Sequence, residues 1–248
     1  AGEFNLIGNP YPSAIDADSF MTNTNNASII NGALYFWTHN TVITNNEYTA
    51  DDYASYTLTG GTGTGGVGNF VDANNNGIMD PVEEVVSNRP LGKIAAGQSF
   101  FVENAAAGSF QFTNAMRATG NNSQFFKQAN TKKTATVEKN RVWLNLTNSG
   151  GAFKQLLVGY ITGATNDWDN LYDGPTFDGQ EFVDFYSVNQ GKNLTIQGRA
   201  LPFVDTDVVP LGYRSTIAGS FDISIDNRDG ALAGQEIWLE DKKTNTLH

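Results

Sequence analysis

The apolar residues of this chain come in short runs that alternate, and Gly, Asn and Asp clusters separate the runs. Helical periodicity is scarce. Runs rich in Val, Ile, Phe, Tyr and Thr, broken by turn residues about every ten positions, predict a sandwich-like all-β chain. Strands are expected at 3–8, 33–39, 53–58, 97–102, 108–113, 141–146, 155–162, 182–188, 193–198, 208–211, 219–225 and 236–240. The pair 97–102 and 108–113 is expected to form a hairpin, and Asn227 to Gly230 a tight turn between the last two strands. Residues 15–20 are the one expected short helix, with Asp16 and Asp18 in its first turn. In ALYFWTH, alternation places Leu34, Phe36 and Thr38 on one face and Tyr35, Trp37 and His39 on the other.

The polar stretch 128–138 (QANTKKTATVE) carries no core residues and marks the expected boundary between two modules. These are 1–130, a sandwich-like module with a long loop insertion, and 137–248, a second one truncated at its C-terminal end. The chain opens mid-strand and is expected to be a piece of something longer. It has no Cys, which removes disulfides and thiolate metal sites. Its 26 acidic residues against 15 basic ones give a net charge of −11, unfavourable for binding a phosphate backbone. No run of about 18 apolar residues occurs, so no membrane insertion is expected.

Within the first module, Asp72 to Glu83 (DANNNGIMDPVE) has the spacing of a calcium loop. Asp72, Asn74 and Asn76 offer side-chain oxygens at alternate positions, and Gly77 sits where the loop must turn sharply. Ile78 offers its carbonyl, Asp80 stands ninth, and Glu83 stands twelfth to close the shell with two oxygens. Calcium, a hard cation, wants about six to eight such ligands. The flank GGTGTGGVGNF tolerates no helix, so this is a calcium loop without the EF-hand. The bland alternative is an Asn-Gly turn with surface carboxylates.

A second acidic stretch, Asn166 to Asp178, holds Asp167, Asp169, Asp173 and Asp178 beside Trp168 and Tyr172. It is a candidate second metal site, or a glycan site in which the aromatics stack on sugar and the acids bind hydroxyls. The competing reading is a solvated loop with its aromatics packed on the sheet edge. Trp37, Trp143 and Trp238 are each expected mid-strand, as core or as an exposed stacking row. Two histidines, His39 and His248, are too few for a three-histidine zinc site, and no nucleophile elbow is present.

The segments NLIGNPYPSAIDADSF, ALYFWTHNT, DDYASYTLTGG, GKIAAGQSFFV, AMRATGNNSQFF, RVWLNLTN, LVGYITGATNDWDNLYDG, IQGRALPFVDTDVVPLGY and EIWLEDKKTNTLH occur in this order. Together they resemble the region just upstream of the C-terminal sorting domain in large adhesin-like proteins of Bacteroidota exported by the type IX secretion system. The resemblance implies an extracellular, cell-surface or secreted module without catalytic residues. It implies no metal role, because the interval 60–88 varies in length there. The function expected is a non-catalytic, calcium-stabilised structural or adhesion module. Its expected partners are neighbouring modules of the same polypeptide, surface glycans or another surface protein. A carbohydrate-binding module is the alternative, and a glycan-active hydrolase the weakest reading.

Overall fold

The computed structural model describes residues 2–38, 43–44, 47–48, 53–65, 89–118, 137–177 and 182–248. Among them strands dominate, as the alternation predicts. The first part of the chain forms β1 (Glu3–Gly8), β2 (Ile15–Asp16), α1 (Ala17–Met21), α2 (Thr24–Ala27), β3 (Ile30–Trp37), β4 (Ile43–Thr44), β5 (Glu47–Tyr48), β6 (Tyr53–Tyr56), β7 (Gly61–Thr62), β8 (Lys93–Ile94) and β9 (Ser99–Asn104). The second part forms β10 (Lys139–Thr147), β11 (Phe153–Ile161), β12 (Gly174–Pro175), β13 (Val183–Asn189), β14 (Lys192–Arg199), β15 (Leu211–Ser215), β16 (Asp222–Asp229), β17 (Glu240–Asp241) and β18 (Thr246–Leu247).

Five strands in the order β1-β9-β3-β6-β7 make an antiparallel sheet. The expected alternation in β3 is observed. Leu34 and Phe36 join Phe100, Val102, Ala54 and Tyr56 in the core of this sheet. Tyr35 faces the other way and meets Phe4 and Phe177. Phe20 closes the core edge-on against Phe100, with ring centroids 5.4 Å apart. Burying such a side chain contributes roughly 1.5–3 kcal/mol. The helix α1 begins later than expected because Ile15 and Asp16 pair with Ile94 and Lys93. Asp16 then caps it by accepting from the Ser19 N–H.

Residues 108–113 are not the expected strand. Asn26 brackets Gln111 instead, its amide donating to the Gln111 carbonyl (2.9 Å) and its oxygen accepting the Gln111 N–H (2.7 Å). The backbone groups a hairpin needs are thereby taken, and Phe110 and Phe112 fold over Phe20. Nor do Asn227 to Gly230 form the expected turn. Asn227 and Asp229 still pair with β10, and a 3-10 turn over Gly230–Gly234 follows. It is held by the Ala231 N–H on Asn140 Oδ1. Of 236–240, only Glu240 is in a strand, paired with Leu247.

The second sheet runs β15-β13-β14-β11-β10-β16, with β12 also against β14. Only β11 and β14 run parallel among its pairs. Residues of one face, Leu146 and Leu156 with Val142 and Val158, build two clusters closed by Phe185, Leu232 and Phe203. Trp143, Leu157 and Ile196 form a third. Here the first sheet arrives. Trp143 Nε1 donates to the Gly61 carbonyl (2.9 Å), and the Gly63 N–H donates to Gln155 Oε1 (3.0 Å).

One close approach is at Thr59, which is fully buried. It sits in a dent made by Gly159 and Gly198, register partners in the parallel pair β11–β14. A Cβ on Gly159 would lie 2.7 Å from Thr59 Cγ2, and one on Gly198 2.9 Å from its Oγ1. These two positions must lack side chains for the sheets to meet. Residues 119–136, between the strands of the two sheets, lie outside the described residues, as does most of the expected boundary at 128–138.

Candidate functional site

Asn166 to Asp173 cross between the sheets. Leu171, with φ at +79°, packs on the core of the first sheet from this loop of the second half. Its carbonyl accepts the Leu58 N–H (2.9 Å). The next carbonyl, Tyr172, accepts from both Thr57 Oγ1 (3.0 Å) and Thr59 Oγ1 (2.8 Å). Asn170 engages β3 twice. Its oxygen accepts the Gly32 N–H (2.7 Å), and its amide donates to the Ile30 carbonyl. A short positive-φ loop thus clasps one sheet to the other through backbone-directed bonds.

The acidic residues hold this clasp in shape. Asp173 is fully buried and uses both oxygens. One accepts the Asp169 N–H (2.9 Å), the other the Gly198 N–H (2.8 Å). Burial raises its carboxyl, the two N–H bonds pull it back, and the balance leaves it pushed up to about 7. Asp169 accepts the Thr165 N–H, which closes the turn. Asp167 points away and accepts from Gln190 Nε2 (2.8 Å) at the β13–β14 turn. Beside it, Lys192 Nζ lies 4.5 Å over the Trp168 ring. The Tyr172 hydroxyl lies against Gly163.

Of the residues singled out in the sequence, Asp169 and Asp173 meet through the backbone of one turn, while Asp167 and Trp168, in the same loop, contact the neighbouring β13–β14 hairpin. Asp178 lies outside the described residues, as do Asp72, Asn74, Asn76, Ile78, Asp80 and Glu83 of the calcium loop. Among the described residues, no three or more His, Asp and Glu side chains are grouped to hold a metal. The three tryptophans separate. Trp143 is core, Trp37 at the end of β3 is half-exposed, and Trp238 is exposed and outside any strand.

A family model described as a domain of unknown function (DUF8693) matches residues 1–248. The chain belongs to this family. No curated protein and no solved structure matches it.

Two further polar constellations in this DUF8693 chain escape the sequence. Arg199 forks onto Asp207 (2.7 Å each from Nε and Nη2), and the Tyr160 hydroxyl donates to the same carboxylate (2.7 Å). Burial pushes the Asp207 carboxyl up, but the bonds from Arg199 and Tyr160 outweigh it and hold it below its ordinary value. Lys154 and Asp184, both buried, face each other across β11 and β13. Neither pair has a sequence signature, since 47 and 30 positions respectively separate Tyr160 from Asp207 and Lys154 from Asp184. The clasp did leave one signal. Leu171 is a lone aliphatic residue inside the acidic stretch DWDNLYDG, as an anchor would be.

Proposed function

We propose that this chain is a non-catalytic structural or adhesion module of a large extracellular, cell-surface protein, stiffened by calcium at Asp72 to Glu83. The observation that carries the structural part is the clasp. The described acids of the 166–173 loop bind the chain's own N–H and amide donors, and the loop's backbone holds two sheets together. The calcium part stands on the ligand spacing of the loop and on the net charge of −11, which bound cations would reduce. Such a module acts by keeping outer, partner-binding segments of the same polypeptide at a fixed spacing. A carbohydrate-binding role is the second reading, favoured by Phe4 and Trp37, 47% and 49% exposed on the first sheet.

Calorimetric titration with calcium tests the first reading. Binding heat is expected for the wild-type chain and is expected to vanish in Asp72→Ala and Glu83→Ala. No heat with the wild-type chain, or unchanged heat in both variants, refutes the calcium site. Chelation is expected to lower the thermal midpoint, because an ion bound to the folded form alone stabilises it. Binding on a glycan array, weakened by Phe4→Ala, would move the assignment to the second reading.

A further inference from the structure

The chain lacks cysteine and so lacks the usual covalent staple of an extracellular β module. Its most deeply buried described ion pair is Lys154 with Asp184, whose side chains are 8% and 4% exposed. Lys154 Nζ stands 3.9 Å from Asp184 Oδ1. Leu146, opposite Lys154 in the β10–β11 register, is buried, as are Val183 and Phe185 on either side of Asp184. Two donors converge on the same Asp184 oxygen, the Thr176 hydroxyl at 2.8 Å and the Phe185 N–H at 2.9 Å. Lys154 Nζ also approaches the Phe177 carbonyl, at 3.5 Å.

From this arrangement we infer that Lys154 and Asp184 condense into an intramolecular amide, a covalent bridge between β11 and β13. The reasoning starts from the cost of burying charge. An ammonium and a carboxylate taken out of water are each destabilised, and a neutral amide in their place removes that penalty. One proton passes from Nζ to Asp184 Oδ2. The freed lone pair attacks Cγ, and negative charge develops on Oδ1. That is the oxygen already facing Thr176 Oγ1–H and Phe185 N–H, so its charge is stabilised by groups in place beforehand. Nζ then gives a second proton to Oδ2, the Cγ–Oδ2 bond breaks, and water leaves. The ammonium's three hydrogens are accounted for as one on the amide nitrogen and two in the water. No oxidant or co-reactant enters. Fixed strands hold amine and acid together, which replaces the entropy cost of a bimolecular encounter. A buried neutral amide in place of two buried charges drives the condensation forward. Lys154 and Asp184 are the reacting groups, and Thr176 is a positioning residue. The inference is independent of calcium.

Intact mass of the purified wild-type chain, measured denatured, tests it. The expected mass is one water below the sum of the sequence. Proteolysis is expected to yield a branched peptide joining the segments around Lys154 and Asp184. Lys154→Arg and Asp184→Ala are each expected to restore the full mass and remove the branched peptide. Thr176→Val is expected to leave a mixture of bridged and unbridged chains. Loss of water through a succinimide at Asp173-Gly174, Asp178-Gly179 or Asp229-Gly230 would survive both variants and give no branch, and that result overturns the inference. So does a wild-type mass equal to the sequence sum, which would mean that the pair is a buried salt bridge only.

Discussion

Asp173 illustrates how one buried acid can organise a loop and make its stability depend on pH. Its two oxygens accept two backbone N–H groups, one from its own turn and one from β14. An asparagine offers only one acceptor oxygen, so Asp173→Asn leaves one buried N–H facing an amide donor. The expected cost is about 1–3 kcal/mol. The pH dependence has a definite sign. The folded carboxyl titrates at about 7, above the ordinary 3.8, so the fold favours the protonated form. That contribution is fully present below pH 3.8 and is lost as the pH rises through about 7. Thermal midpoints measured across this range are expected to fall with rising pH, and the fall is expected to flatten in Asp173→Asn. An equal slope in both proteins would place the titration elsewhere.

At the scale of elements, the clasp matters more than any one strand. Asn170→Ala removes both bonds to β3 and leaves the Gly32 N–H without its acceptor and the Ile30 carbonyl without its donor. The expected loss is roughly 2–4 kcal/mol, read as a lower denaturant midpoint. Gly198→Ala is expected to be as harmful for the opposite reason. Its new methyl would lie 2.8 Å from Tyr172 Cβ and 2.9 Å from Thr59 Oγ1, in a space that cannot widen without parting the sheets. The strands were largely legible because short apolar runs stand between turn residues. Of the strands found, β10 alternates strictly, β11 is a continuous apolar run, and β1, β3, β9, β13 and β14 are runs rich in aromatic and branched residues, which places them within a few positions. Residues 108–113 alternate equally well, yet the Asn26 side chain takes the hydrogen bonds of Gln111, and no local pattern announces that. The acidic loop was visible as a cluster, but its task was not. Carboxylates that cap backbone N–H groups and carboxylates that ligate metal have the same composition. Gly159 and Gly198 carry no mark in the sequence, since the side chain they make room for lies 100 and 139 residues earlier, at Thr59.

For the whole molecule, the two sheets have separate cores but share a clasp, the Trp143–Gly61 bond and the Thr59 dent. Leu171 also packs on the first core from the second half of the chain. Neither sheet can open without exposing part of the other's support. Scanning calorimetry of the full chain is therefore expected to give one cooperative transition, with calorimetric and van't Hoff enthalpies in agreement. Two resolved transitions would mean that the sheets melt independently.

The dent under Thr59 also sets a clock. The Gly198 amide points at a buried carboxylate, and its register partner Gly159 is covered by the same threonine, so solvent reaches neither until the two halves separate. In deuterated water these amides should be among the last to lose their protons, at a rate that reports the rarest opening of the molecule rather than any local fraying.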